Sequence, residues 1–246
     1  MSRLSIKTGV RTLALVCFAI AIAFQAQAGP IQISPVKVDL SAKVRVSALT
    51  VHNLGEDETV MQVSLMHWPS AEDLIAIEPS IGLLVTPSTF RLAGGAKQIV
   101  RVGLSGAAPL RTELAYRLII EEVPPVLEQD TTGMRLVVRH DLPVFVAPAA
   151  RALRLVNLQI DCSPTGAELR LLNSGNSHLK VLRLALKEST TGATQGDWKA
   201  FDYVLPGTEK RWLLSTVAPD AKAKGYTATA YTENETFSAE VQNQCR

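Results

Sequence analysis

From Ile31 to Gln242 the chain consists of short apolar or alternating runs, each closed off by turn-forming residues, and apolar residues hardly ever recur at helical spacing. Runs of this kind suit strands of a half-buried sheet and are too short for amphipathic helices. In the first half they are Ile31–Leu40, Val44–His52, Thr59–Trp68, Ile81–Thr86, Ala96–Leu104, Leu114–Val123 and Met134–Val146. About seven strands in roughly 120 residues is the density of an immunoglobulin-like sandwich. In Thr59–Trp68 the set Met61, Val63, Leu65 and His67 is more apolar than the alternate set and should face the core, although Trp68 falls on the other side. Pro35 and Pro143 lie inside two of the runs. Proline cannot donate to a ladder, so each marks an edge, a bulge or a strand that changes sheets.

After the connector Ala147-Pro148-Ala149-Ala150 the same pattern resumes with Leu153–Ile160, Glu168–Leu172, Leu179–Lys187, Trp198–Val204, Glu209–Leu214, Tyr226–Tyr231 and Thr236–Gln242. The expected fold is therefore all-β, with two immunoglobulin-like β-sandwich domains set at an angle and a cleft between them. The expected boundaries are 29–148 and 149–246.

Residues 1–28 read as a cleaved export signal. Arg3, Lys7 and Arg11 precede the apolar stretch Thr12–Phe24, and Ala26-Gln27-Ala28 supplies a small-x-small cleavage pattern. An uncleaved N-terminal anchor is the alternative, but the stretch is short for a bilayer span, which takes about 20 residues. No later segment is long and apolar enough, so the mature chain should carry no integral membrane segment. Without those three bases the 25 Lys+Arg become 22 against 23 Asp+Glu, and the net charge moves from +2 to −1. Nothing in that balance favours a nucleic-acid partner. Cys17 leaves with the signal, so Cys162 and Cys245 remain, an even pair that reads as a disulfide in an oxidising compartment, with two free buried thiols as the alternative.

Several segments share an order and a spacing. Thr86-Pro87-Ser88-Thr89-Phe90-Arg91-Leu92, followed by Gln98-Ile99-Val100-Arg101-Val102, resembles the TPP-x-x-RL … Q-x-VR-h segment of the periplasmic pilus chaperones of the chaperone–usher pathway. Glu113 and Glu121-Glu122-Val123-Pro124-Pro125 resemble that family's RE … EIPP strand. Leu142-Pro143-Val144-Phe145-Val146-Ala147-Pro148 resembles the apolar strand end and proline before its second domain. His67-Trp68 and Asn173-Ser174-Gly175-Asn176-Ser177-His178 are shorter echoes. The divergent details look most like the archaic, spore-coat-U or Csu-like, branch.

The resemblance implies a periplasmic protein that binds, stabilises and delivers fimbrial (pilin) subunits to an outer-membrane usher by donor-strand complementation, without a cofactor. Met134, Leu136 and Val138 would be the donor residues, three apolar side chains on one face of a strand. An ordinary strand that uses this face for its own core is the alternative. The family also anchors the subunit's terminal carboxylate on two basic side chains between the domains. Lys37 falls where the first strand usually carries Arg. Pro143 falls where the donor strand usually carries Lys, which leaves Arg117 and Arg139 as substitutes; solvated strand-face charges remain the alternative for both. Arg101 and Glu122 match a family ion pair that stiffens the domain joint.

Enzyme signatures are missing. His52, His67, His140 and His178 are scattered without metal-ligand spacing, and there is no nucleophile elbow or phosphate loop. His140 and Asp141 are adjacent in a strand and should point to opposite faces. The other reading consistent with the composition is a secreted adhesion or recognition module built from two immunoglobulin-like domains.

Overall fold

The computed structural model describes residues 31–68, 82–108, 111–124, 137–163, 166–214 and 225–242. The first sandwich contains β1 (Ile31–Ser34), β2 (Val38–Leu40), β3 (Val46–Asn53), β4 (Thr59–His67), β5 (Leu83–Thr86), β6 (Thr89–Leu92), β7 (Lys97–Leu104), β8 (Leu114–Val123) and β9 (Arg139–Val146). One sheet has the order β1-β3-β7-β5 and the other β2-β9-β8-β4-β6. The run that the sequence presents as Ile31–Leu40 is divided at Pro35. Its first part pairs antiparallel with β3 and its second part parallel with β9, so the chain crosses between sheets where a backbone donor is missing. Strand β6 has no counterpart among the expected runs. It is a four-residue edge segment between Pro87-Ser88 and Gly94-Gly95, and it pairs Thr89–Leu92 with Thr59–Gln62.

Alternation decides which side chains go inside. Met61, Val63 and Leu65 of β4 are buried, whereas His67, expected on the same face, is exposed because it lies at the last position of the strand. Leu118 and Ile120 of β8 are buried too, and with the three apolar β4 side chains they meet Leu49, Val51, Val100 and Val102 from the opposite sheet. Full burial of such a side chain contributes about 1.5–3 kcal/mol before conformational entropy is charged against it.

The second sandwich contains β10 (Val156–Ser163), β11 (Gly166–Asn173), β12 (Leu179–Glu188), β13 (Thr194–Val204), β14 (Glu209–Leu213), β15 (Gly225–Thr232) and β16 (Thr236–Gln242). Its sheets are β10-β11-β14 and β13-β12-β15-β16. This order repeats the first sandwich in part, with β10, β11 and β14 in the places of β1, β3 and β7, while β5 and β2 have no counterpart among the described strands. One turn is repeated atom for atom. Asn53 ends β3 and Asn173 ends β11, and both side chains are buried. Asn53 Nδ2 donates to the carbonyls of Asp57 and Leu92, and Gly55 N donates to its Oδ1. Asn173 Nδ2 donates to the carbonyls of Ser177 and Val204, and Gly175 N donates to its Oδ1. Each amide satisfies the backbone of a turn that the core has closed off from water.

A register shift near Leu182 turns over the alternation of β12, so Leu179 and Val181 before it and Leu184 and Leu186 after it all reach the core. Among the described residues there is no helix, and none is long and apolar enough to cross a membrane.

Candidate functional site at the domain junction

The two cores meet through a third apolar cluster. Ala115 and Phe145 of the first sandwich pack on Leu205 of the second, with Trp68 and Tyr203 at the margin. This accounts for Trp68, which leaves the core of its own sandwich to cover the joint. His178 stacks on Phe145, ring centroids 3.6 Å apart and planes 11° apart. Its backbone N and its Nδ1 both contact Oε1 of Glu113, at 2.9 and 2.8 Å. The Glu113 side chain is only 6 % exposed. Glu113 N donates to the Asn176 carbonyl. The Asn176 amide donates to the carbonyls of Arg111 and Arg151, and its Oδ1 accepts from Leu153 N at 2.6 Å. A carboxylate, an imidazole and an amide thus tie the start of β8 to the β11–β12 turn and the connector.

Next to this joint, the sheet registers bring basic residues into one row. Pro143 of β9 pairs with Arg117 of β8, and Arg117 pairs with Met66 of β4. Val144 pairs with Val38 of β2, so Lys37, one residue earlier, adjoins Pro143. Val38 and Val144 face the core, so Lys37, Pro143 and Arg117 belong to the outer face, and strands spaced about 4.8 Å apart set the two cations roughly 10 Å from each other at the backbone. Arg117 is therefore the cross-strand neighbour of the position where a basic residue was missed. Its guanidinium lies 3.3 Å over the Trp68 ring and 3.5 Å from Asp141 Oδ1. Burial lowers its pKa, while Asp141 and then Tyr203 act in the opposite direction.

Lys37 Nζ donates to Glu233 Oε2 at 3.2 Å and lies 3.4 Å from Asp39 Oδ2. Glu233 belongs to the β15–β16 turn, so this ion pair bridges the sandwiches. Burial pushes the Glu233 pKa up, but it is outweighed by the Lys37 hydrogen bond and the charges of Lys37, Lys180 and His178, and the net shift is downward. For Lys37, burial pulls down and is outweighed by Asp39 and Glu233, so the ammonium is held above its ordinary value.

The family model for pili and flagellar-assembly chaperones, PapD N-terminal domain, matches residues 30–152. The chain belongs to that family. An Escherichia coli K12 relative, described as the uncharacterized fimbrial chaperone YhcA, is 25% identical over 186 residues, 75% of this chain and 78% of the relative. The CsuC–CsuE chaperone–tip adhesion subunit complex from the archaic Csu pili of Acinetobacter baumannii contains a chain with the same fold, with a TM-score of 0.61 and 20% identity over 86% of this chain and 97% of that one. The E. coli chaperone DraB matches with a TM-score of 0.60 and 20% identity over 88% and 98%.

Other expected site residues of this family member fall away from the row. Arg139 is exposed at the start of β9, opposite Glu121. It lies four residues from Pro143, about 13 Å along the strand. Arg101 is exposed on β7 and Glu122 lies on β8 in the other sheet, where its Oε1 accepts from Thr59 Oγ1. None of the ion pairs between described residues joins Arg101 to Glu122, and the joint is tied by Glu113 and His178. Asp141 points to the outer face and bonds Arg117, while burial lowers the pKa of the neighbouring His140, whose Nε2 has no partner among the described residues. Val138 is partly buried just ahead of β9, and its carbonyl accepts from Glu122 N. Met134, Leu136, Cys245, the Cys162 side chain and residues 1–28 lie outside the described residues. Among the described residues no group of three His, Cys, Asp or Glu could hold a metal ion.

Proposed function

We propose that this chain is a periplasmic chaperone that binds and stabilises fimbrial subunits and delivers them to an outer-membrane usher by donor-strand complementation. The observation that carries the reading is the edge of β9. β8 pairs with β9 along its whole length, but β2 covers the opposite edge only at Val144–Val146. From Arg139 to Pro143 that edge has no partner among the described residues, and an unpaired edge is a template for another chain. A subunit strand laid there, parallel to β9 as β2 is, stops where β2 begins. Its terminal carboxylate then arrives beside Lys37 and Arg117. A carboxylate in a partly enclosed joint needs such partners, and the guanidinium can offer two parallel donors. Pro143 provides no backbone donor at that rung, which suits the transfer of the task to Arg117.

Upstream, Met134, Leu136 and Val138 fill the gap in the subunit core. Each contributes about 1.5–3 kcal/mol when fully buried, less the cost of ordering the segment. Arg139 adds charge along the strand but is not in the anchoring row. In this reading Glu122 ties β8 to the start of β4 through Thr59, and the stiffening of the joint expected of Arg101 and Glu122 falls to Glu113 and His178. Residues 1–28 direct export, Cys162 pairs with Cys245 in the second domain, and the domains divide at residues 148/149. The divergent details of the family segments favour the archaic branch. The protein performs no catalysis. Family membership disfavours the adhesion-module reading.

The test is affinity capture from periplasm with mass spectrometry. The wild type should retain a pilin-like subunit one-to-one. The Lys37→Ala/Arg117→Ala double variant should fold normally and retain none. Normal capture by the folded double variant overturns the anchoring row, and the absence of any incomplete-sandwich partner overturns the chaperone reading.

A further inference from the structure

Every cation of the anchoring row already holds a carboxylate of its own chain. Arg117 has Asp141, and Lys37 has Asp39 and Glu233. The three acids differ in origin. Asp141 and Asp39 lie on β9 and β2, in the sheet that carries the cations, whereas Glu233 reaches over from the second sandwich, 196 residues away in sequence. We propose that Glu233 is a built-in stand-in for the subunit's terminal carboxylate, holding Lys37 while the chaperone is free and releasing it when a subunit strand arrives. The proposal rests on the reading of Lys37 as an anchor and adds a specificity residue to it.

The surroundings of Glu233 suit an exchangeable ligand. Lys37, Lys180 and His178 all favour its charged form, so the spot is electrostatically made for a carboxylate. Its backbone is fixed: Glu233 N donates to the Lys180 carbonyl, and Thr232 holds the turn through two bonds to the Glu235 carbonyl, from its N at 3.0 Å and its Oγ1 at 2.7 Å. Only the side chain has to swing away. The Lys37 and Glu233 side chains are 28 % and 38 % exposed, so water can take over both partners during the exchange without any core being opened. A free carboxylate in solution gains only the ion pair that Glu233 already makes and has nothing with which to displace it. A carboxylate on a strand that also forms ladder bonds along β9 has the excess needed. The stand-in therefore rejects stray anions and passes a true subunit end.

The probe is a synthetic peptide of the last fifteen or so residues of the subunit captured by the wild-type chain, made with a free C-terminal carboxylate and, separately, as the C-terminal amide. Binding of each is measured by fluorescence anisotropy to the wild type, Glu233→Gln and Lys37→Ala, with circular dichroism as a folding control. Glu233→Gln should bind the carboxylate peptide two- to fivefold more tightly and the amide unchanged. At 1.4 kcal/mol per tenfold, that is about 0.4–1 kcal/mol, the range of a partly exposed ion pair. A folded Glu233→Gln that binds the carboxylate peptide no better, while Lys37→Ala weakens it, overturns the stand-in and leaves the anchor intact. Equal binding of both peptides by wild type and Lys37→Ala overturns the anchor, and with it the stand-in. Glu233→Asp, which keeps the charge but shortens the reach to Lys37, should fall between wild type and Gln.

Discussion

Replacing His178 with Phe separates the two interactions that join the sandwiches. A phenylalanine keeps a flat ring against Phe145 but loses the Nδ1 contact to Glu113 Oε1, 2.8 Å long in a site where the carboxylate is 6 % exposed. A hydrogen bond to a charged group contributes about 1.5–3 kcal/mol, and burial puts this one beyond the reach of compensating water. His178→Ala removes the stack as well, worth about 0.5–1.5 kcal/mol more, for a total of roughly 2–4.5 kcal/mol. The assay is urea unfolding followed in parallel by tryptophan fluorescence and far-UV circular dichroism. Trp68 sits at the joint, whereas Trp198 and Trp212 pack on the second core, so fluorescence and dichroism weight the two sandwiches differently. The wild type should give coincident transitions. His178→Phe should shift the first transition by its calculated cost, and His178→Ala should separate the two probes. Coincident transitions in both variants, within about 0.5 kcal/mol of wild type, refute the idea that this contact couples the domains.

Three further outcomes follow from the geometry. Leu118→Ala, at a position with 0% exposure in the first core, should cost about 2–5 kcal/mol in the same urea assay, and the loss should appear in the first sandwich. Gly175→Ala drives a Cβ into the Leu153 carbonyl and to 2.8 Å from Leu155 N, so the connector must shift; a drop in stability of about 1–3 kcal/mol and weaker subunit capture should result. Because the Glu233 pKa lies below its ordinary value, its contribution is complete above the usual glutamate range and disappears as pH falls through the lowered value. The difference in urea midpoint between wild type and Glu233→Gln should therefore be constant at neutral pH and vanish on acidification.

The alternation rule located most strands and oriented β4 correctly as far as Leu65, because apolar side chains at period two leave a visible imprint; it failed at His67, which the strand end leaves exposed. It merged β1 with β2, since the two are collinear in sequence and only the proline betrays the crossing between sheets. It passed over β6, whose four residues are too few to show a period. The row of Lys37, Pro143 and Arg117 could be proposed one residue at a time, but its alignment depends on a parallel register between β2 and β9, which no local pattern encodes. The joint was harder still. Glu113 and His178 are 65 residues apart; each falls in a segment that resembles the family, but no local pattern pairs one with the other. Two clues were present in Asn53-Leu54-Gly55 and Asn173-Ser174-Gly175: the same Asn-x-Gly turn at the same point of both halves aligns one sandwich with the other and brings the β11–β12 turn forward as a structural element.

The parallel contact of β2 with the last three residues of β9 has a consequence for what such a protein can tolerate in its clients. Side chains in a strand alternate between faces, so a slip of one position turns every buried group outward. Since β2 holds a set length of the edge, the count for a strand docked as proposed would start from its final residue. Internal substitutions that preserve apolar alternation should be accepted freely, whereas one extra residue after the natural terminus should make a client unrecognisable. The protein would then act as a gauge of where its clients end, and one gauge could serve several subunits of unrelated sequence.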